Sequence, residues 1–131
     1  MKTLVVEDDF VSRLVLKKML SPFGQCDTAV NGKEAIQAFS IANEEGNPYD
    51  LICLDIMMPE MDGKEALKSI REIEKKHKVS PRNETKIVMI TALDTPKEVI
   101  DAYYNGGCTA YLVKPIEKAK IIEVIKEVGL L

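Results

Sequence analysis

Five short apolar runs recur along this chain, and each is followed by a segment with helical spacing. The runs are Leu4-Val5-Val6, the weaker Thr28-Ala29-Val30, Leu51-Ile52-Cys53-Leu54, Ile87-Val88-Met89-Ile90 and Tyr111-Leu112-Val113. Continuous apolar runs belong to strands covered on both faces, whereas a half-exposed strand would alternate. Strands that alternate with helices imply a parallel sheet with right-handed crossovers. The expectation is therefore an α/β domain with five parallel strands. In such sheets chemistry gathers beyond the carboxyl ends of the strands, at a switch in strand order.

The intervening segments carry helix signals. Residues 9–20 read as a helix with Val11, Leu14, Val15 and Met19 on one side, stopped by Ser21-Pro22-Phe23-Gly24. Asn31 reads as the cap of a second helix carrying Ala35, Ile36 and Phe39, with Glu34 reaching back. A third helix follows Asp62, itself an N-cap with Glu65 at the third position, and carries Ala66, Leu67, Ile70 and Ile73. Its charged tail, Glu74 to Lys78, is expected to be exposed. Thr95-Pro96-Lys97-Glu98 opens a fourth helix, closed by Gly106-Gly107. The last runs from about 117 to 128, with Ile121, Val124, Ile125 and Val128 inward.

Composition narrows the class. The 131 residues, 46% hydrophobic, suffice for one domain with a sizeable core. A net charge of -3 argues against a nucleic-acid binder or a polybasic membrane-surface protein. No apolar run approaches the roughly 20 residues that a bilayer demands. Cys26, Cys53 and Cys108 are odd in number and far apart, so buried apolar roles in a reducing cytoplasm are expected. His77, alone among lysines, reads as solvated surface.

The strand ends are chemically distinctive. The first run ends in Glu7-Asp8-Asp9, the third in Asp55, the fourth in Thr91-Ala92 and the fifth in Lys114-Pro115. Converging carboxylates repel, and a hard divalent cation bound through oxygens, such as Mg²⁺, would offset that. Lys114 suits a phosphate oxygen. A carboxylate beside a metal, a lysine and a hydroxyl fits a phosphoryl-accepting nucleophile, with Asp55 the best candidate. Asp9 fits the N-cap of the first helix. On residues alone, Tyr111 fits strand packing and Lys114 a surface lysine.

Together these segments resemble the response-regulator receiver domain, the family of the chemotaxis receiver. The resemblance rests on Leu4 to Asp9, on Leu54-Asp55-Ile56-Met57-Met58-Pro59-Glu60-Met61-Asp62-Gly63, on Ile90-Thr91-Ala92 and on Tyr111 to Pro115. It implies the flavodoxin-like, doubly wound (βα)5 fold with strand order 2-1-3-4-5. It implies Asp55 as phosphoacceptor from a sensor histidine kinase or a histidine phosphotransfer protein. Mg²⁺ would be held by Asp8, Asp55 and the Met57 backbone carbonyl, with Glu7 acting through water. Thr91, Ala92 and Lys114 would bind the phosphoryl group, Thr91 and Tyr111 would form the switch, and the bond before Pro115 would be cis. Downstream signalling would use the face of the fourth helix, fifth strand and fifth helix, with Tyr103, Tyr104 and Tyr111 as anchors. The same face could serve a phosphorylation-linked homodimer.

The five units account for residues 1–131 and leave none for an output domain, so a free-standing receiver is expected rather than an enzyme. Slow autodephosphorylation and labelling from small donors would be its only chemistry. A phosphorelay shuttle, passing the group to a downstream histidine, is the alternative. A Mg²⁺-dependent phosphatase of the haloacid-dehalogenase type is disfavoured, because Met57 stands where such enzymes carry a second acid. A flavodoxin-like cofactor binder is disfavoured because Glu7-Asp8-Asp9 would repel a phosphate. Met57 and Leu93, two residues beyond Asp55 and Thr91, are expected to shield a phosphoryl group from water. The stretch 75–85 is longer than is common in the family and predicts a longer helix with a protruding loop.

Overall fold

A computed structural model describes residues 1–56, 63–92 and 107–131. Five parallel strands, β1 (Thr3–Val6), β2 (Cys26–Ala29), β3 (Leu51–Asp55), β4 (Lys86–Thr91) and β5 (Ala110–Val113), form one sheet in the order β2-β1-β3-β4-β5. The described helices are α1 (Phe10–Leu20), α2 (Gly32–Glu44), α3 (Gly63–Lys76) and α4 (Lys118–Glu127). The expected helix over about 95–106 lies outside the described residues, as do Met57, Asp62, Leu93, Tyr103 and Tyr104.

Strand alternation sorts the apolar residues into two cores. Leu4, Val6, Ile52, Leu54, Ile87 and Met89 pack with Phe39 of α2 and with Leu67 and Ile70 of α3. Val5, Leu51, Cys53, Val88, Ile90 and Leu112 pack on the other face with Leu16 and Leu20 of α1 and with Ile121 and Ile125 of α4. Every residue of β3 is buried, as its unbroken apolar run requires. A fully buried Leu or Ile of this kind contributes about 2 kcal/mol.

The helix caps follow from local chemistry. Asp9 Oδ2 accepts from the Ser12 N–H at 2.8 Å, so Asp9 caps α1. Asn31 Oδ1 accepts from the Glu34 N–H, and Glu34 reaches back to the Val30 N–H. β2 begins at Cys26, two residues before the predicted start, and ends before Val30.

Two expectations are corrected. The inward face of α1 is Leu16 and Leu20, with Met19 half-buried, while Val11, Leu14 and Val15 are 63, 44 and 41% exposed. Apolar residues cover most of the circumference of α1, so periodicity alone could not choose the stripe. The path of the chain from β1 to β2 chose it. Glu74 is buried rather than exposed. Its Oε1 pairs with Arg71 Nη1 at 2.6 Å and its Oε2 accepts from the Thr85 N–H at 2.8 Å. Arg71 also donates to the carbonyls of Thr85 and Gly107. The long segment after α3 folds back to close over this pair, and a short 3-10 turn, Pro81–Asn83, remains exposed at its tip.

Candidate functional site

The carboxyl edge of the sheet brings Glu7, Asp8, Asp55, Thr91 and Lys114 together. Glu7 and Asp55 follow β1 and end β3, on the same sheet face as Val5 and Cys53. Lys114 continues the parity of Ala110 and Leu112 and reaches that face from β5. Its position is set by a 2.7 Å bond from its N–H to the Thr91 carbonyl. The Lys114–Pro115 peptide bond is cis.

One ligand oxygen each from Glu7, Asp8 and Asp55 lies within 4.8 Å of the others. Two ionised carboxylates at that separation repel by about 3 kcal/mol at an effective dielectric near 20. Lys114 Nζ offsets part of this, lying 3.2 Å from Glu7 Oε2 and 3.3 Å from Asp55 Oδ2. Burial and the neighbouring Asp55 carboxylate raise Glu7 to about 7, despite the opposing bonds from Asp9 and Lys114. Burial lowers the affinity of Lys114 for its proton, but Asp55 and Glu7 outweigh it and hold the ammonium charged. Glu7 is 1% and Asp55 3% exposed, while Asp8 is exposed. The donor set therefore fits a hard divalent cation: three carboxylate oxygens at short range, one on the solvent side where waters could be kept.

Thr91 is fully buried at the end of β4. Tyr111 is half-buried on the opposite sheet face from Lys114, opposite Met89 in register, and packs on the α2/α3 core. Ala92 follows Thr91 and is exposed.

Two features of the site were not read from the sequence. Gly63 opens α3 directly behind Asp55. A Cβ there would lie 2.3 Å from the Asp55 carbonyl oxygen and 2.8 Å from Ile56 Cα. The second is a groove of about 460 Å³ between α1 and the residues after β5. Val11, Val15, Leu16 and Ile116 make its apolar wall, and Glu7 and Lys114 lie at its site end. Its apolar rim continues over exposed Phe10 and Leu14.

The family model described as response regulator receiver domain matches residues 3–126. The chain belongs to the response regulator receiver family. Receivers of this family are phosphoryl-accepting signalling switches. This receiver is 36% identical over 98% of its length to hybrid signal transduction histidine kinase L of Dictyostelium discoideum. It spans only 7% of that kinase. The receiver domain of the Arabidopsis thaliana histidine kinase CKI1, complexed with Mg²⁺ and BeF3⁻, is 31% identical with a TM-score of 0.79. That match covers 97% of this receiver and 88% of the CKI1 chain. A further match, at TM-score 0.84 and 30% identity, lies in a co-crystal from Saccharomyces cerevisiae. It contains the histidine phosphotransfer signaling protein Ypd1 and the receiver domain of its downstream response regulator Ssk1, and the match covers 98% of this receiver and 88% of the matched chain. No helix among the described residues of this receiver is long and apolar enough to cross a membrane.

The raised Glu7 carboxyl gives a pH signature. Its ordinary value is 4.5, so between pH 4.5 and about 7 the folded metal-free receiver holds a proton that the unfolded chain has lost. That stabilisation is complete below the unfolded value and is lost as pH rises through the folded one. Thermal melts in EDTA are expected to lose on the order of 2 kcal/mol between pH 5 and 8. A cation that replaces the proton removes the loss, so Mg²⁺ should stabilise more at pH 8 than at pH 5. A Mg²⁺-induced shift in Tm that is equal at both values would contradict this.

Proposed function

We propose that this receiver accepts a phosphoryl group on Asp55 from a phosphohistidine of a histidine kinase or a histidine phosphotransfer protein. The observation that carries this reading is the carboxylate cluster itself. Asp55 stands within 4.8 Å of Glu7 and Asp8 and is ion-paired with Lys114 at 3.3 Å. Asp8, Asp55 and the Met57 carbonyl would hold Mg²⁺, with Glu7 acting through water. When bound, Mg²⁺ neutralises charge on the transferring phosphoryl oxygens.

In the transfer, an Asp55 oxygen forms the new P–O bond as the P–N bond of the phosphohistidine breaks, and the imidazole leaves. Lys114 pairs with a phosphoryl oxygen in place of the Asp55 carboxylate it now meets. The Ala92 N–H and the Thr91 hydroxyl bond to the others. Thr91 and Tyr111 share a sheet face on adjacent strands, so a shift of Thr91 toward the phosphate frees space for Tyr111 to turn inward. The added charge, about one further unit with strong acceptor oxygens, drives the change in population. Downstream contacts would use the predicted fourth helix, β5 and α4. The direct test is intact mass after incubation with acetyl phosphate and Mg²⁺, with Asp55→Asn as the control. A wild-type chain that gains no phosphoryl mass ends the proposal.

The phosphodonor docks on α1 in this reading. Phe10, Val11, Leu14 and Val15 form an exposed apolar stripe that ends at Glu7 and Lys114. Whatever covers that stripe sits over the acceptor, which a phosphodonor must do. A helix carrying the phosphohistidine beside apolar side chains fits the groove. Onward transfer to a second histidine would use the same face in reverse, and this keeps a phosphorelay shuttle as the second reading. Leu14→Glu is expected to slow transfer from a phosphohistidine protein about 10-fold, since it places a charge in an apolar contact worth about 1–2 kcal/mol. Labelling by acetyl phosphate should be unchanged. Equal slowing with both donors would place the defect in the site rather than in docking.

A further inference from the structure

Glu7 and Asp8 are adjacent in sequence, and this poses a geometric problem. Consecutive side chains of an extended strand leave on opposite faces. Their carboxylates nevertheless lie within 4.8 Å of each other and of Asp55. The backbone therefore has to leave strand geometry between them, in the short turn from Val6, the last residue of β1, to Phe10, the first of α1.

One side chain spans that turn. Arg13, in the first turn of α1, donates from Nη1 to the Glu7 carbonyl at 2.9 Å and to the Asp8 carbonyl at 3.3 Å. Its guanidinium rests 5.6 Å from the centroid of the Phe10 ring, which limits where it can swing. Inside the same turn the Asp9 N–H donates to Glu7 Oε1 at 3.2 Å, and Asp9 caps the helix. The first two carbonyls of the turn thus point to one cation, and the carboxylates of the same residues point to the site.

We infer that Arg13 is a positioning residue for the cation site. It touches neither phosphoryl group nor acceptor. By holding the Glu7 and Asp8 carbonyls from one nitrogen, it keeps two adjacent carboxylates aimed at one point. Its charge also offsets part of their repulsion. The proposal rests on the reading that Glu7, Asp8 and Asp55 bind a divalent cation. A planar guanidinium suits the task because its donors are rigidly placed, whereas a lysine ammonium is a mobile point donor. Groups that orient metal ligands typically change metal affinity about 10–100-fold when removed.

The experiment is a calorimetric Mg²⁺ titration of the full chain as wild type, Arg13→Gln, Arg13→Lys and Asp8→Asn. Arg13→Gln should raise the Mg²⁺ dissociation constant about 10-fold or more, and Arg13→Lys by less. Acetyl phosphate labelling of both Arg13 variants should need correspondingly more Mg²⁺, yet reach the wild-type rate within about 2-fold at saturation. Unchanged Mg²⁺ affinity in both Arg13 variants overturns the inference. So does a labelling defect that saturating Mg²⁺ fails to restore, because that is the mark of general damage to the fold. The Asp8→Asn arm separates the two levels. If it binds Mg²⁺ as wild type does, the cation site itself is misread. If it loses Mg²⁺ while the Arg13 variants keep it, only the role of Arg13 falls.

Discussion

Asp55→Asn is expected to abolish phosphoryl acceptance, lowering labelling by acetyl phosphate by at least about 100-fold. An amide has no free electron pair of comparable basicity, and Glu7, equally buried and also paired with Lys114, has its carboxyl pushed up to about 7, so it is a poorer nucleophile near neutral pH. Asp8 is exposed, whereas Asp55 is 3% exposed and ion-paired with Lys114. The substitution nearly preserves shape, so the fold should persist. It also removes the Asp55 charge that helps hold the Glu7 carboxyl up near 7, leaving burial as the main cause. The pH-dependent loss of stability in EDTA should therefore shrink in Asp55→Asn, and the stabilisation by Mg²⁺ should largely vanish. Intact mass and thermal melts read the two effects separately. Labelling of Asp55→Asn at the wild-type level would move the acceptor elsewhere.

Gly63→Ala is expected to cost about 3 kcal/mol and to lower Tm by roughly 10 °C. The added Cβ would meet the Asp55 carbonyl oxygen at 2.3 Å and Ile56 Cα at 2.8 Å. Both obstacles are backbone, so no side chain can step aside. Relief requires α3 to lift from the end of β3, which breaks the 2.9 Å bond from the Gly63 N–H to the Ile56 carbonyl. The same shift moves the Asp55 backbone, so the labelling rate should fall as well. A melting temperature within 2 °C of wild type, on the scale of about 3–4 °C per kcal/mol, would mean that this contact has slack. Glycine is required here for close approach rather than for a left-handed backbone angle.

The legible part of this protein was local. The central strands β1, β3 and β4 were announced by their apolar runs, because a strand covered on both faces has little place for polar side chains, whereas the edge strand β2, with Asp27 and Thr28 in it, was marked only weakly. The strand order 2-1-3-4-5 came from the family resemblance, and the sheet has it. The site residues stood at strand ends, where parallel topology gathers them. Asp9 and Asn31 were readable as caps because a cap bonds within three residues of itself.

What escaped the sequence depended on partners far along the chain. Glu74 looked like part of a solvated run, but Arg71 and the Thr85 N–H donate to its carboxylate and hold it in the interior. Nothing within its own helix turn announced the returning segment. The buried stripe of α1 was misjudged because two apolar stripes were available and local spacing favours neither. The one left outside, Val11 to Val15, became the rim of the groove beside Glu7 and Lys114.

The sequence by itself thus determined the element types, the parallel α/β class and the acids, hydroxyl and lysine at the sheet edge. Those follow from side-chain period and from chain direction, which are properties of neighbouring residues. Only the tertiary structure decided which face of α1 meets solvent, why position 63 admits no Cβ, and how Arg13 turns two consecutive acids toward one point. Each of those is a relation between surfaces, set by how helices settle against the sheet, and short-range spacing does not carry that information.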